Sequence, residues 1–232
     1  MATSGSTDFT LTAQQVIDYA LEDCGVLEGA STAASEDADV ALRRLNVLLK
    51  GMQKNGPFLF SVQVDGSQTL TNANGTYSLT STTPLRLLEV RYSDANDREI
   101  PMIPLTRTEY FELPEKTSSG PPTQYWYDAD SQDMNIYVWP VKGTVTTESI
   151  EYTYQRKLED VDSLEDNIDV PEEWLDTIAY KLAQRLLIPF GVKGERAMMI
   201  NAMAERLWAE AMDYDREPMI TFVPETRWRR AW

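Results

Sequence analysis

Asn55-Gly56-Pro57-Phe58-Leu59-Phe60-Ser61-Val62-Gln63-Val64-Asp65-Gly66 is the stretch on which the chain changes its period. Just upstream, Leu42, Leu45, Leu48, Leu49 and Met52 recur at helical spacing. Asn55-Gly56-Pro57 then stops that helix, because Asn or Gly can take a positive φ and Pro cannot continue the ladder. Downstream, Phe58, Phe60, Val62 and Val64 alternate with Leu59, Ser61, Gln63 and Asp65, a period of two that predicts a strand. Asp65-Gly66 predicts a turn. Helical period returns after Val170. The double change predicts an α+β protein: an antiparallel helical bundle of about four helices with an inserted antiparallel β barrel or sandwich.

Working outward toward the N-terminus, Thr12 with Gln15 forms a T-x-x-Q capping box, and Leu11 can staple onto Val16. Val16, Ala20, Leu21 and Cys24 give that helix one apolar face, which Gly25 ends. Ser35 is expected to cap the second helix, with Glu36 and Asp37 in a favourable first turn. In the other direction, the strongest hairpin is Gln124–Trp139, with turn residues at Asp128–Asp133. Leu85–Tyr92 and Thr144–Tyr154 are further strands, and Arg107–Phe111 is one short helical turn. Leu158–Asp169 reads as a solvated acidic connector. Trp174, Ile178, Leu182 and Leu186 then define a third helix. Met199, Met203, Leu207 and Ala211 define the stripe of a fourth, and the short break between them predicts an αα-hairpin. The resulting division is 1–57 and 159–216 as two parts of one helical domain, 58–158 as the β-rich insertion, and 217–232 as an extended C-terminal arm.

At 232 residues the chain is long enough to bury a core without disulfides or metal. No apolar run approaches the ~20 residues of a bilayer span, and the polar opening MATSGSTDFT is not a secretory signal. A soluble protein made in the cytoplasm is expected. Cys24 is the single cysteine and histidine is absent. That removes the commonest general base and metal ligand and every Ser/His or Cys/His arrangement. The net charge of −16 argues against tight binding to phosphate backbones, which needs cations to displace counterions.

The remaining candidates are weak. Asp160, Asp162, Glu165, Asp166 and Asp169 miss the calcium-loop spacing, since position 5 counted from Asp160 is Leu164 and position 6 is Glu165. Glu172 and Glu173 are adjacent on a helix start and point apart, which suits a helix dipole better than acid–base catalysis. Asn74-Gly75-Thr76 is a turn before it is a glycan acceptor. Met198, Met199, Met203 and Met212 read as core at helical spacing, with an adaptable binding surface as the rival. No cofactor, metal or catalytic residue is expected. The least ordinary feature is the arm, where Pro218 closes the last helix and Met219, Ile220, Phe222 and Val223 precede Pro224. Arg227, Trp228, Arg229, Arg230 and Trp232 finish the chain. Trp and Arg dominate interface hot spots, so Phe222 and these five are the expected binding residues.

Pro121-Pro122-Thr123-Gln124-Tyr125-Trp126-Tyr127-Asp128, Met134-Asn135-Ile136-Tyr137-Val138-Trp139-Pro140-Val141, Ile150-Glu151-Tyr152-Thr153-Tyr154 and Val170-Pro171-Glu172-Glu173-Trp174 form a recognisable series. With the opening helix pair, it resembles head-to-tail adaptor (connector, tail tubular) proteins of short-tailed bacteriophages. The resemblance implies a structural virion protein at the head–tail junction and no enzymatic activity. It implies a ring, typically of twelve copies, that assembles under the portal protein, extends the DNA channel and offers a platform to the tail nozzle protein. Genomic DNA would pass without specific binding, and no membrane is involved. The arm residues would bind the portal or a neighbouring copy, and Tyr125, Tyr127, Tyr137 and Trp139 of the β-rich part would face the nozzle. Two rivals differ in role: a β-rich virion module that stacks its aromatics on carbohydrate, and a head-completion protein of a long-tailed phage. A third is a hydrolase using paired carboxylates.

Overall fold

The computed structural model describes residues 5, 9–29, 31–56, 58–79, 84–129, 134–144 and 147–215. The arm at 217–232, and with it the stop assigned to Pro218, lies outside them, as does most of the turn expected at Asp128–Asp133. The described residues are α+β, with two separate hydrophobic cores, one among helices and one between sheets.

Helix α1 (Ala13–Cys24) starts on the expected capping box: the Gln15 N–H donates to Thr12 Oγ1, and the Thr12 N–H donates to Gln15 Oε1 at 3.0 Å. Gly25 ends it at φ +71°, and a β-carbon there would also overlap the Arg196 guanidinium. Helix α2 (Ser35–Met52) differs from expectation at its start. Ser35 is already helical, Ala34 holds the cap position, and no side chain caps it. Instead, Asp18 of α1 accepts the Ala33 N–H at 2.9 Å and ties the preceding loop down.

Phe58 and Phe60 are not strand residues. Leu59–Ser61 is a 3-10 turn, and the two rings stack at 5.4 Å inside the helical core. The Trp174 ring meets Phe58 edge-on at 5.0 Å and Phe60 at 5.7 Å, and Trp208 closes on Trp174 at 5.7 Å. Such pairs add about 0.5–1.5 kcal/mol each beyond area burial, and this tertiary gain overrides the local alternation. Strand β1 (Val62–Thr69) therefore starts only at Val62. Gly66 lies inside it, not in a turn. The Tyr152 ring lies where a β-carbon would be, and the pairing slips between Gln63 and Gly66.

The other strands are β2 (Thr76–Ser78), β3 (Arg86–Ser93), β4 (Glu99–Pro101), β5 (Ile103–Pro104), β6 (Gln124–Asp128), β7 (Asn135–Trp139) and β8 (Ser149–Gln155). They form two open four-stranded sheets, β1-β8-β3-β4 and β2-β7-β6-β5, and neither closes into a barrel. All pairings are antiparallel except β5 with β6, which is parallel. Both sheets feed one core: Val90, Ile150 and Tyr152 from the first, Tyr125, Ile136 and Val138 from the second.

Helix α3 (Arg107–Glu112) is a short helix on a Thr106–Glu109 capping box. Helices α4 (Leu175–Leu186) and α5 (Glu195–Tyr214) pack antiparallel, since Thr177, Lys181 and Gln184 bond Leu207, Glu205 and Asn201 in reverse order. The buried residues of α5 are Ile200, Ala204 and Ala211: Ala211 lies on the expected stripe, while Ile200 and Ala204 stand one position beyond the expected Met199 and Met203. Met198 and Met199 are 68% and 62% exposed, because Ile200 takes the interior position in that apolar run.

The acidic connector is not a solvated linker. Leu158, Val161 and Ile168 are buried. The Ala13 and Gln14 N–H groups, which α1 leaves without helical partners, donate to Asp166 O and Leu164 O at 2.8 and 2.9 Å. Asn46 of α2 bonds both polar groups of the Val161 backbone. Arg156 grips Asp169 through both terminal guanidinium nitrogens. Burial alone would raise the Asp169 carboxyl; the Arg156 hydrogen bond, the Glu159 N–H and the Arg156 and Lys50 charges outweigh it and hold it below the usual Asp value. A depressed carboxyl stabilises the fold above its unfolded pKa, and that stabilisation is lost as pH falls through the folded value. Asp169→Asn should cost about 1–2 kcal/mol at neutral pH, since Arg156 loses its countercharge while partly buried. Urea unfolding should show that gap persisting down to about pH 4 and closing below it. A gap that is absent at neutral pH would show the pair to be incidental.

Candidate functional site

Strands β6 and β7 decide which aromatics reach the surface. Side chains alternate faces along a strand, and the register Tyr125↔Val138, Trp126↔Tyr137, Tyr127↔Ile136 sets the faces. Tyr125 points inward and is buried; burial, then the nearby Tyr127 and Glu89, push its phenol up to about 12. Tyr127 packs against the same core. Trp126 and Tyr137, directly opposite each other, stack on the outer face at 4.6 Å with 24° between their planes.

Helix α3 lies on that outer face. Tyr110 stacks on Trp126 at 5.5 Å and tilts against Tyr137 at 5.4 Å. Phe111 meets Trp126 edge-on at 5.6 Å. Burial, then the neighbouring Tyr137, raise the Tyr110 phenol. Two cations sit over these rings: Lys116 Nζ is 5.7 Å from both the Tyr110 and Phe111 centroids, and the Arg107 guanidinium is 5.8 Å from Phe111. Trp139 is fixed nearby by its Nε1–H, which donates to Glu115 O at 2.9 Å. The outcome is a four-ring layer whose outermost ring, Phe111, is 55% exposed beside basic groups.

Of the four aromatics expected on the β-rich surface, the structure places Tyr137 in this layer and Trp139 beside it, and turns Tyr125 and Tyr127 inward. Tyr110, Phe111 and Lys116 were not expected there. The signal that could have found them is the Thr106-x-x-Glu109 box, which starts a helix directly before an aromatic pair. Phe222, Arg227, Trp228, Arg229, Arg230 and Trp232 lie outside the described residues.

The layer is suited to contact. It offers apolar planes, cations and hydroxyls, with no nucleophile paired to a base. Among the described residues, no group of three or more His, Cys, Asp or Glu side chains is placed to hold a metal. Cys24 is buried, donates to Ala183 O at 3.5 Å, and has its thiol pushed up to about 11 by burial and then Asp23, so it is not a thiolate at neutral pH. No helix among the described residues is long and apolar enough to cross a membrane.

Residues 10–227 match the model of the SU10 adaptor protein family, and the chain belongs to that family. No curated protein matches it. Among solved structures, a chain from the neck of an empty GTA particle computed with C6 symmetry is similar at 14% identity. The match covers 86% of this chain and 93% of that one at a TM-score of 0.26, too loose to establish a common fold.

The layer makes its own prediction about which rings hold the fold and which are free. Trp126→Ala, which empties the middle of the stack, should cost about 2 kcal/mol. Phe111→Ala should cost less than about 1 kcal/mol, because its ring is mostly solvated. Urea unfolding of both variants measures this. Equal losses would show Phe111 to be structural and not available to a partner.

Proposed function

We propose that the protein is a structural head-to-tail adaptor of a bacteriophage virion. In this reading twelve copies form a ring beneath the portal protein, extend the DNA channel and give the tail nozzle protein its attachment platform. The observation that carries it is the family match over residues 10–227.

The parts divide accordingly. Residues 1–57 and 159–216 form an antiparallel helical bundle at the portal side. Residues 58–158 make up the β-rich insertion, a sandwich whose strands begin at Val62, and its outward rings at Trp126, Tyr137 and Phe111, with Trp139 beside them, meet the nozzle. Residues 217–232 are the docking arm, through Phe222, Arg227, Trp228, Arg229, Arg230 and Trp232. Two properties support this arrangement. Net charge of −16 suits a channel that DNA must cross without adhering, since like charges repel and release no counterions. The outer face of β6 and β7 has the chemistry of a contact surface, an exposed ring beside cations. The protein is made in the host cytoplasm, acts in the virion and needs no cofactor.

The arm is the testable element. Deleting residues 217–232 should leave a folded protein with the parent circular dichroism spectrum that no longer attaches to immobilised portal rings. Attachment at the parent level would overturn the role given to the arm.

A further inference from the structure

On the helical body, α1, α4 and α5 enclose two adjoining hollows of 490 and 360 Å³ that share Glu22, Asp23 and Tyr180. Together they make one groove. Its floor is apolar, with Leu11, Leu175, Ala179 and Ile200. Its flanks leave large apolar surface in water: Phe9 is 62%, Tyr19 48% and Met199 62% exposed. Water-exposed rings and a methionine around a preformed groove are the surface a partner chain would cover.

The rim of this groove has one sign. Glu22, Asp23, Glu172, Asp176 and Glu195 line it, against the single cation Arg196. None of the five carboxylates takes part in an ion pair among the described residues. Asp23 shows the cost: burial, then the charges of Asp176 and Glu22, raise its carboxyl above the usual value despite Arg196. Tyr180 is raised by burial and then by Asp23 and Asp176. A guanidinium placed here would relieve both repulsion and desolvation.

The chain itself carries the complement. Residues 226–232 hold three arginines, two tryptophans and no acid, while 1–216 carry −17. Trp228 and Trp232 are of the chemistry that stacks on rings such as Phe9, Tyr19 and Tyr180, and Arg227, Arg229 and Arg230 are of the charge that the rim lacks. We propose that this groove is the docking site for residues 226–232 of a neighbouring copy. Resting on the adaptor reading, this makes the arm the strap between adjacent subunits of the ring, so that attachment to the portal depends on the arm through closure of the ring. It is a heterologous contact, groove to arm, which closes when copies are related by rotation.

Full-length chains test it by disulfide trapping. One variant carries Met199→Cys in the groove and another carries Arg229→Cys in the arm. Cys24 is buried and leaves no competing thiol. Mixed and oxidised, the two should link about tenfold faster than the arm variant links to a Val64→Cys control, whose site on β1 is 69% exposed. Adding Asp23→Asn and Asp176→Asn to the groove chain should abolish that preference, as should high salt. Equal rates at groove and control would overturn the proposal, as would a preference indifferent to both carboxylates. A third variant carrying both Met199→Cys and Arg229→Cys that links only within single chains, while the mixed single variants do not link, would overturn it too, because the groove would then hold its own arm. The adaptor reading fails separately: preferential linkage without attachment to portal rings would remove that reading and leave the groove assignment in place.

Discussion

The structure depends on one junction. The chain leaves the helices at Phe58–Ser61 and comes back at Gln155–Arg156, and these two crossings must lie side by side. The ladder joins them directly: Val62 pairs with Gln155, the Arg156 N–H donates to Ser61 O at 2.8 Å, and the Gln155 amide donates to Gly56 O at 3.2 Å. Beneath them Phe58 and Phe60 pack on Trp174, at the head of α4, and Trp208 of α5 completes the cluster. Four aromatic rings from three distant parts of the sequence thus hold the exit, the start of α4 and the middle of α5 in one place. Aromatic side chains bury large areas and prefer these edge and offset geometries, so the junction is fixed in angle as well as position. Everything on either side inherits that geometry. The outward rings on β6 and β7 are presented relative to it, and so is the groove beside α1, α4 and α5.

Charge is distributed with the same economy of partners. Acids in the connector are used: Asp169 with Arg156, Asp160 with Lys50, and Asp166 with the Asp162 and Ser163 N–H groups. Glu22 and Asp23 of α1 and Asp176 of α4, by contrast, have no ion pair among the described residues. The contrast separates structural acids from those left facing solvent. Under the docking proposed above, a body of −17 would attract one short basic segment of its own sequence at these unpaired acids.

What was legible in the sequence followed from signals with a local mechanism. The Thr12–Gln15 box, the stop after Met52 and the Gln124–Trp139 hairpin needed only neighbours along the chain. What was not legible depended on contacts from far away. Phe58-Leu59-Phe60 alternates like a strand, yet Trp174, more than a hundred residues on, pulls both rings into the helical core. Asp65-Gly66 looks like a turn, yet the glycine makes room for the Tyr152 ring. Val161 and Ile168 were hidden by the acids around them, although they are what anchors the connector. For the site, the alternation predicted an aromatic face without saying which set of rings faced out. Trp126 and Tyr137 do so because Tyr125, Ile136 and Val138 fill the space between the sheets.

The most direct measurement is electron microscopy of the purified protein mixed with isolated portal rings. The account predicts a ring of added density, of twelve copies, stacked on one end of each portal and concentric with its channel. Portal particles that remain bare at saturating protein, or that carry scattered single copies without closure, would contradict it.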